Sequence, residues 1–141
     1  MSDKCFVDTN ILVYAHDRSA GDKHNRAKDL IAELWHEKRG VISTQVLQEF
    51  YVNVRKKAVS PLSSLEVRRI LQDYLCWEVV VNDGPSVLEA IAVEERHKVS
   101  FRDALIVQAA NAAGVTLLYS EDLNTGQKYG NVTVENPFLL L

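Results

Sequence analysis

The chain has 141 residues, 47% of them hydrophobic and 25% charged, the length and balance of one ordinary globular domain, 1–141. Its formal net charge of −3, from 16 basic and 19 acidic residues, does not advertise a nucleic-acid binder, which is usually basic. No apolar run approaches the roughly 20 residues of a membrane span, and MSDKCFVDTN has no signal-peptide layout, so a cytoplasmic protein is expected.

Lys4–Val7 reads as a short buried strand and Asn10–Ala15 as one or two helical turns. His24–Lys38 places Ala27, Leu30, Ile31, Leu34 and Trp35 at helical spacing, and Gly40 is expected to end that helix. Val41–Ser43 is a brief strand. Thr44–Lys57 puts Val46, Leu47, Phe50, Tyr51 and Val54 on one helical face, and VSPLSS breaks the chain at Pro61. Leu65–Leu75 is helical. Glu78–Val81 is a strand by its valines, and Asp83-Gly84-Pro85 opens a helix from Ser86 to His97, with Pro85 suited to its first turn. Phe101–Ala113 is apolar nearly all round, hence a central helix, with Gly114 suited to its C-cap. Val115–Tyr119 and Val132–Glu135 are the last strands. Cys5 and Cys76 show no metal spacing and read as buried free thiols.

Strands alternating with helices predict an α/β three-layer sandwich, with a central, mostly parallel sheet of four to five strands. In such a sheet the C-terminal strand ends and the starts of the return helices share one edge, where ligands bind. Asp8 ends the first strand, and Glu49 lies in the second turn of the helix after the second strand. Asp103 lies in the first turn of the helix leading to the fourth strand, and Asp122 follows that strand within three residues. The topology therefore brings four distant acids to one rim.

Each acid has a structural reading. Asp8 suits an N-cap, Ser100-Phe101-Arg102-Asp103 a capping box with Asp for Glu, and Ser120-Glu121-Asp122 a turn. Glu49, in mid-helix on the border of the apolar stripe, has no capping use. Unrelated capping acids should spread over both rims, whereas these converge. Converging carboxylates raise one another's pKa unless a cation holds them ionised. An oxygen-only set favours Mg²⁺ or Mn²⁺ over Zn²⁺ and implies metal-assisted phosphodiester hydrolysis. With four acids set aside as ligands, sixteen basic residues face fifteen acidic ones, so the acidity weakens a nucleic-acid substrate without excluding it. Asn10 and Ser120 are polar neighbours able to orient a ligand or water.

VDTNILVYA, QVLQEFYVNV, FRDALIVQAA and LLYSEDLNTGQKYGNVTVENPF resemble, in that order, the signature segments of PIN-domain ribonucleases, and most nearly the VapC-type toxins of toxin–antitoxin pairs. The resemblance covers essentially the whole chain. It implies a PIN fold, Mg²⁺- or Mn²⁺-dependent endoribonuclease activity on RNA, a partner antitoxin and a homodimer. The family's acids fall on Asp8, Glu49, Asp103 and Asp122, and its polar positions on Asn10 and Ser120. Arg102 stands where the family more often has an aromatic or apolar residue, a departure that bears on substrate contact. An inhibiting partner is expected to lay a segment between helices 24–38 and 44–57 and point Arg or Lys at the four acids.

Other readings stay open: a housekeeping PIN nuclease of RNA processing, or a PIN-like module that binds RNA or protein without cleaving. A phosphatase using Asp8 as nucleophile is disfavoured, since Asn10 stands where such enzymes carry a second Asp. The basic runs Arg55-Lys56-Lys57, Arg68-Arg69 and Arg96-His97-Lys98 read as solvated faces, and the four histidines show no ligand spacing. Trp35 and Tyr51 read as core or dimer interface.

Overall fold

Short apolar runs whose side chains are buried on both sides make strands that helices cover on both faces. Cys5-Phe6-Val7 and Val41-Ile42 are such runs, each residue at most 1% exposed. The computed structural model describes residues 3–57 and 59–140, so the outermost residues of the expected domain lie outside the description. The strands are β1 (Cys5–Val7), β2 (Gly40–Ser43), β3 (Glu78–Val80), β4 (Leu117–Tyr119), β5 (Lys128–Tyr129) and β6 (Val132–Glu135). They form one sheet in the order β3-β2-β1-β4-β6-β5. Every pairing is parallel except that of β5 with β6.

The helices are α1 (Thr9–Ala15), α2 (Asp22–Glu37), α3 (Thr44–Arg55), α4 (Ser64–Tyr74), α5 (Gly84–His97) and α6 (Phe101–Ala112), with one 3₁₀ turn at Arg18–Ala20. From β1 the chain adds β2 and β3 on one side, then returns to place β4 on the other. Right-handed crossovers in the two directions put their helices on opposite faces. In agreement, α1 packs on α2 and α3, and α3 on α4, while α5 packs on α6. This is the expected three-layer sandwich. The reversal makes the crevice between β1 and β4 the switch point of the sheet, where open α/β folds bind ligands.

Most helices start on a side-chain cap immediately after a strand or turn, which satisfies backbone N–H groups that the helix itself cannot. Ser43 accepts from the Val46 N–H, Asp83 from that of Ser86 and Ser100 from that of Asp103. Ser63 and Glu66 form a reciprocal capping box on α4. Pro85 stands in the first turn of α5, and Gly114 takes the left-handed conformation (φ 74°) just beyond α6.

Several expectations need correction. Gly40 does not end α2; Lys38 takes the left-handed position there (φ 57°), and Gly40 is the first residue of β2. Its lack of a side chain serves packing instead, because a Cβ on Gly40 would come within 2.4 Å of the Trp77 indole. That ring is wedged against Trp35 and Tyr74, at centroid distances of 5.5 and 5.2 Å. Cys5 is buried as expected but Cys76, in the turn after α4, is exposed. Trp35 and Tyr51, at 38% and 37% exposure, lie outside the core, which leaves only the interface half of that expectation open. Among the described residues α2 and α3 do not wall one groove: α1 packs against both, and a cleft lies between α1 and α3. The sheet has six strands rather than the expected four to five; the addition is the antiparallel β5, whose two residues carry no periodic signal.

Gly40→Ala should destabilise the protein by about 1–3 kcal/mol in urea unfolding, the range for overpacking a filled site. Gly40→Ala combined with Trp77→Leu should recover part of that loss. A single variant within about 0.5 kcal/mol of wild type, the scale of ordinary surface changes, would contradict the packing account.

Candidate metal centre

Asp8 follows β1 beside the switch point, where its N–H donates to the Tyr119 carbonyl of β4 (2.9 Å). It caps α1, Oδ1 accepting from the Thr9 N–H at 2.7 Å. Capping does not exhaust its carboxylate. Oδ2 accepts from Ser120 Oγ at 2.7 Å, and Ser120 Oγ accepts in turn from the Asp122 N–H at 3.1 Å. Asp8 and Ser120 are both fully buried. The hydroxyl thus fixes the Asp8 carboxylate and shapes the turn that presents Asp122.

Glu49 reaches the same place from α3. Thr9 Oγ1 donates to its Oε1 at 2.6 Å, and Gln45, one turn earlier, lies with Nε2 3.4 Å from Oε2. Asp103 arrives from the first turn of α6. The expected capping box there is only half formed: Ser100 caps, but the Asp103 carboxylate turns to Arg102.

Arg102 is the centre of the site. Its Nη2 and Nη1 fork onto Asp8 Oδ1 and Oδ2 at 2.6 and 3.2 Å. Nη2 and Nε fork onto Glu49 Oε1 and Oε2 at 2.7 and 3.1 Å. Nη1 also meets Asp103 Oδ1 at 2.9 Å and Asp122 Oδ2 at 3.5 Å. One guanidinium therefore touches all four acids. Burial works against the Arg102 charge, but Asp8 and Glu49 outweigh it and hold the guanidinium protonated more firmly than usual. Burial also works against the Glu49 charge, and hydrogen bonds from Arg102 and Thr9 bring its pKa below the ordinary value. Asp122 goes the other way. Burial and then the Asp8 charge push its pKa up, and the more distant Arg102 does not compensate.

Asp8, Asp103 and Asp122 each present a carboxylate oxygen within 4.8 Å of the other two, a spacing that one divalent ion could bridge. Glu49 is not in that triad and joins it through Arg102. The donors are all oxygen, the set that hard cations such as Mg²⁺ and Mn²⁺ take. Asn10 is directed at the same place: its amide nitrogen is buried and faces Asp122, whose charge it eases without a hydrogen bond of full geometry. The residues present fit a divalent cation with bound water. A cleft of about 390 Å³, walled by Tyr14 and Asn53, opens onto Glu49, Arg102 and Asp122.

A family model described as the PIN domain matches residues 5–129. The chain belongs to the PIN-domain family. Its fold is that of VapC toxins. The Mycobacterium tuberculosis toxin VapC20, which cleaves the sarcin–ricin loop, is 22% identical with a TM-score of 0.66, over 84% of this chain and 90% of that one. A Klebsiella pneumoniae toxin–antitoxin complex is 21% identical with a TM-score of 0.68, over 96% and 98%. DNA-bound VapBC from Salmonella typhimurium is 16% identical with a TM-score of 0.66, over 96% and 99%. Among curated proteins the sequence has no match. No helix among the described residues is long and apolar enough to cross a membrane.

All six residues singled out from the sequence, Asp8, Asn10, Glu49, Asp103, Ser120 and Asp122, meet at this PIN-domain site. Three others were not placed there: Thr9, Gln45 and the central role of Arg102. Gln45 and Glu49 stand four apart on one helical face, which is a usable signal. Thr9 pairs across forty positions, and nothing local marks it.

The Asp122 shift has a testable sign. A carboxyl with a raised folded-state pKa favours the fold while protonated, and that contribution is lost as pH rises through the folded value. In chelator, Asp122→Asn should therefore melt higher than wild type at pH 7. The gain should vanish below the ordinary Asp value of 3.8, where the wild-type carboxyl is protonated as well. A lower melting temperature at pH 7 would contradict it.

Proposed function

We propose that the protein is a divalent-metal-dependent endoribonuclease that hydrolyses RNA phosphodiester bonds and serves as the toxin of a toxin–antitoxin pair. The observation that carries this reading is the meeting of four carboxylates from four separate elements at the switch point of a PIN fold. Asp8, Asp103 and Asp122 would hold Mg²⁺ or Mn²⁺, with Glu49 completing the acidic set. When bound, such an ion polarises a phosphoryl oxygen and lowers the pKa of a water.

The chain's own groups organise that chemistry. Ser120 orients Asp8 and Thr9 orients Glu49, each through a short hydrogen bond. Asn10 offers a buried amide donor beside Asp122 for a water or a phosphate oxygen. The cleft between α1 and α3 would take the strand around the scissile bond. Its Tyr14 is braced by Glu121, which accepts from the Tyr14 hydroxyl at 2.7 Å and also pairs with Lys23.

The toxin reading adds an antitoxin and a homodimer to the RNA substrate, in the cytoplasm. It is supported by the likeness to structures of toxin–antitoxin complexes. Apolar surface left open on α3, on α4 and at the end of α4 supports protein partners: Tyr51, Leu65 and Leu75 are 37%, 58% and 60% exposed. An antitoxin would silence the site most directly by bringing a cationic side chain to the acids along the α1–α3 cleft.

The test combines purified protein and host growth. RNA cleavage should need Mg²⁺ or Mn²⁺, stop in chelator, and fall by about 10²-fold or more in Asp8→Asn, the scale of losing one electrostatic contact to the reacting group. Expression of wild type, but not Asp8→Asn, should arrest growth unless the neighbouring gene is co-expressed. Cleavage that survives chelator would end the metal reading. Metal-dependent cleavage without harm to the host would leave an RNA-processing nuclease.

A further inference from the structure

A cation already stands where the divalent ion is expected. Arg102 Nη1 bonds one oxygen each of Asp8, Asp103 and Asp122, the three carboxylates that close up for an ion. Its fork onto Asp8 uses both oxygens of that fully buried group. An ion bound among these acids would face a guanidinium within a few ångströms, and Asp8 could not serve both fully. The two cations are in competition for one negatively charged site. Nor does Arg102 visit by chance: Gln45 Nε2 donates to its backbone carbonyl at 3.1 Å, and three of its side-chain nitrogens are used. The side chain has a way out, since it is 31% exposed and lines the cleft.

We propose that Arg102 is a built-in occupant of the metal site, an internal counter-cation that a divalent ion must displace. This rests on the metal-centre reading above. Without metal, Arg102 neutralises acids that would otherwise repel one another. With metal, the guanidinium is released from Asp8 toward the cleft. The ion's affinity is then the difference between its own pull on the acids and that of Arg102. The residue sets how much free divalent ion the protein needs before it becomes competent.

Binding of Mn²⁺ alone, with no RNA, tests this by counting free Mn²⁺ by electron paramagnetic resonance for wild type, Arg102→Met and Arg102→Lys. Met keeps the stem without the charge; Lys keeps the charge without the fork. Arg102→Met should bind Mn²⁺ at least about tenfold more tightly at low salt, since a unit positive charge a few ångströms away is gone. It should also melt lower than wild type in chelator and gain more from Mn²⁺, with Arg102→Lys between the two.

A second measurement needs no loss of the arginine. In the wild type, the Arg102 Nε–H resonance, assigned by its absence in Arg102→Lys, should shift on Mg²⁺ titration along the same curve as Mg²⁺ binding. Equal or weaker Mn²⁺ affinity in a folded Arg102→Met, or an Nε–H signal unmoved while Mg²⁺ binds, overturns the proposal. Failure of every variant to bind millimolar Mn²⁺ overturns both this proposal and the metal-centre reading. Displacement of Arg102 by metal with RNA left intact upholds the proposal and defeats only the nuclease.

Discussion

Four carboxylates drawn to one sheet edge repel one another, and the site is stable only because a cation stands among them. In this structure that cation is Arg102, which binds Asp8 just after β1, Glu49 from α3, Asp103 from its own helix and Asp122 from the turn after β4. The interaction ties α3, α6 and both sides of the switch point together. It is strongest where burial is deepest: Asp8 is fully buried and Asp122 about half exposed. A buried carboxylate is tolerated only when paired and hydrogen-bonded, and Asp8 has Arg102, Ser120 and the Thr9 N–H for the purpose. The same dependence on a cation makes the set receptive to a divalent ion.

Much of this was legible in the sequence because parallel α/β topology is legible. Once the runs at Lys4–Val7, Val41–Ser43 and Val115–Tyr119 are read as strands, the positions of Asp8, Glu49 and Asp122 after them follow, while Asp103 is placed by the helix that leads to the last of these strands. Parallel strands carry their C-terminal ends to one edge, which is where these acids meet. Capping chemistry is no argument against function, since Asp8 caps α1 with Oδ1, meets Ser120 with Oδ2, and takes the Arg102 fork on both.

What stayed hidden depends on contacts that sequence spacing does not encode. Arg102 stood out only as an unusual neighbour of Asp103. A long side chain in the first turn of a helix can reach solvent or fold back, and only the packed structure selects the inward path. Gly40 read as a helix stop because Gly so often is one. The reason for it lies in Trp77, whose covering ring comes from a turn far along the chain. Cys76 was assigned to the core from its apolar neighbours, but the turn that follows α4 leaves it outside. The inhibitor groove is expected between helices 24–38 and 44–57 because both flank the rim near Glu49, yet α1 packs against both.

The central claim is that these acids form one cation site, shared in turn by Arg102 and a divalent ion. Crystals grown with and without Mn²⁺ test it most directly, through the anomalous signal of the metal. The account predicts a peak about 2.0–2.6 Å from carboxylate oxygens of Asp8, Asp103 and Asp122, with the Arg102 guanidinium withdrawn from Asp8 toward the cleft between α1 and α3. Crystals saturated with Mn²⁺ that show no peak among these acids, or a peak with Arg102 still forked on Asp8, would contradict it.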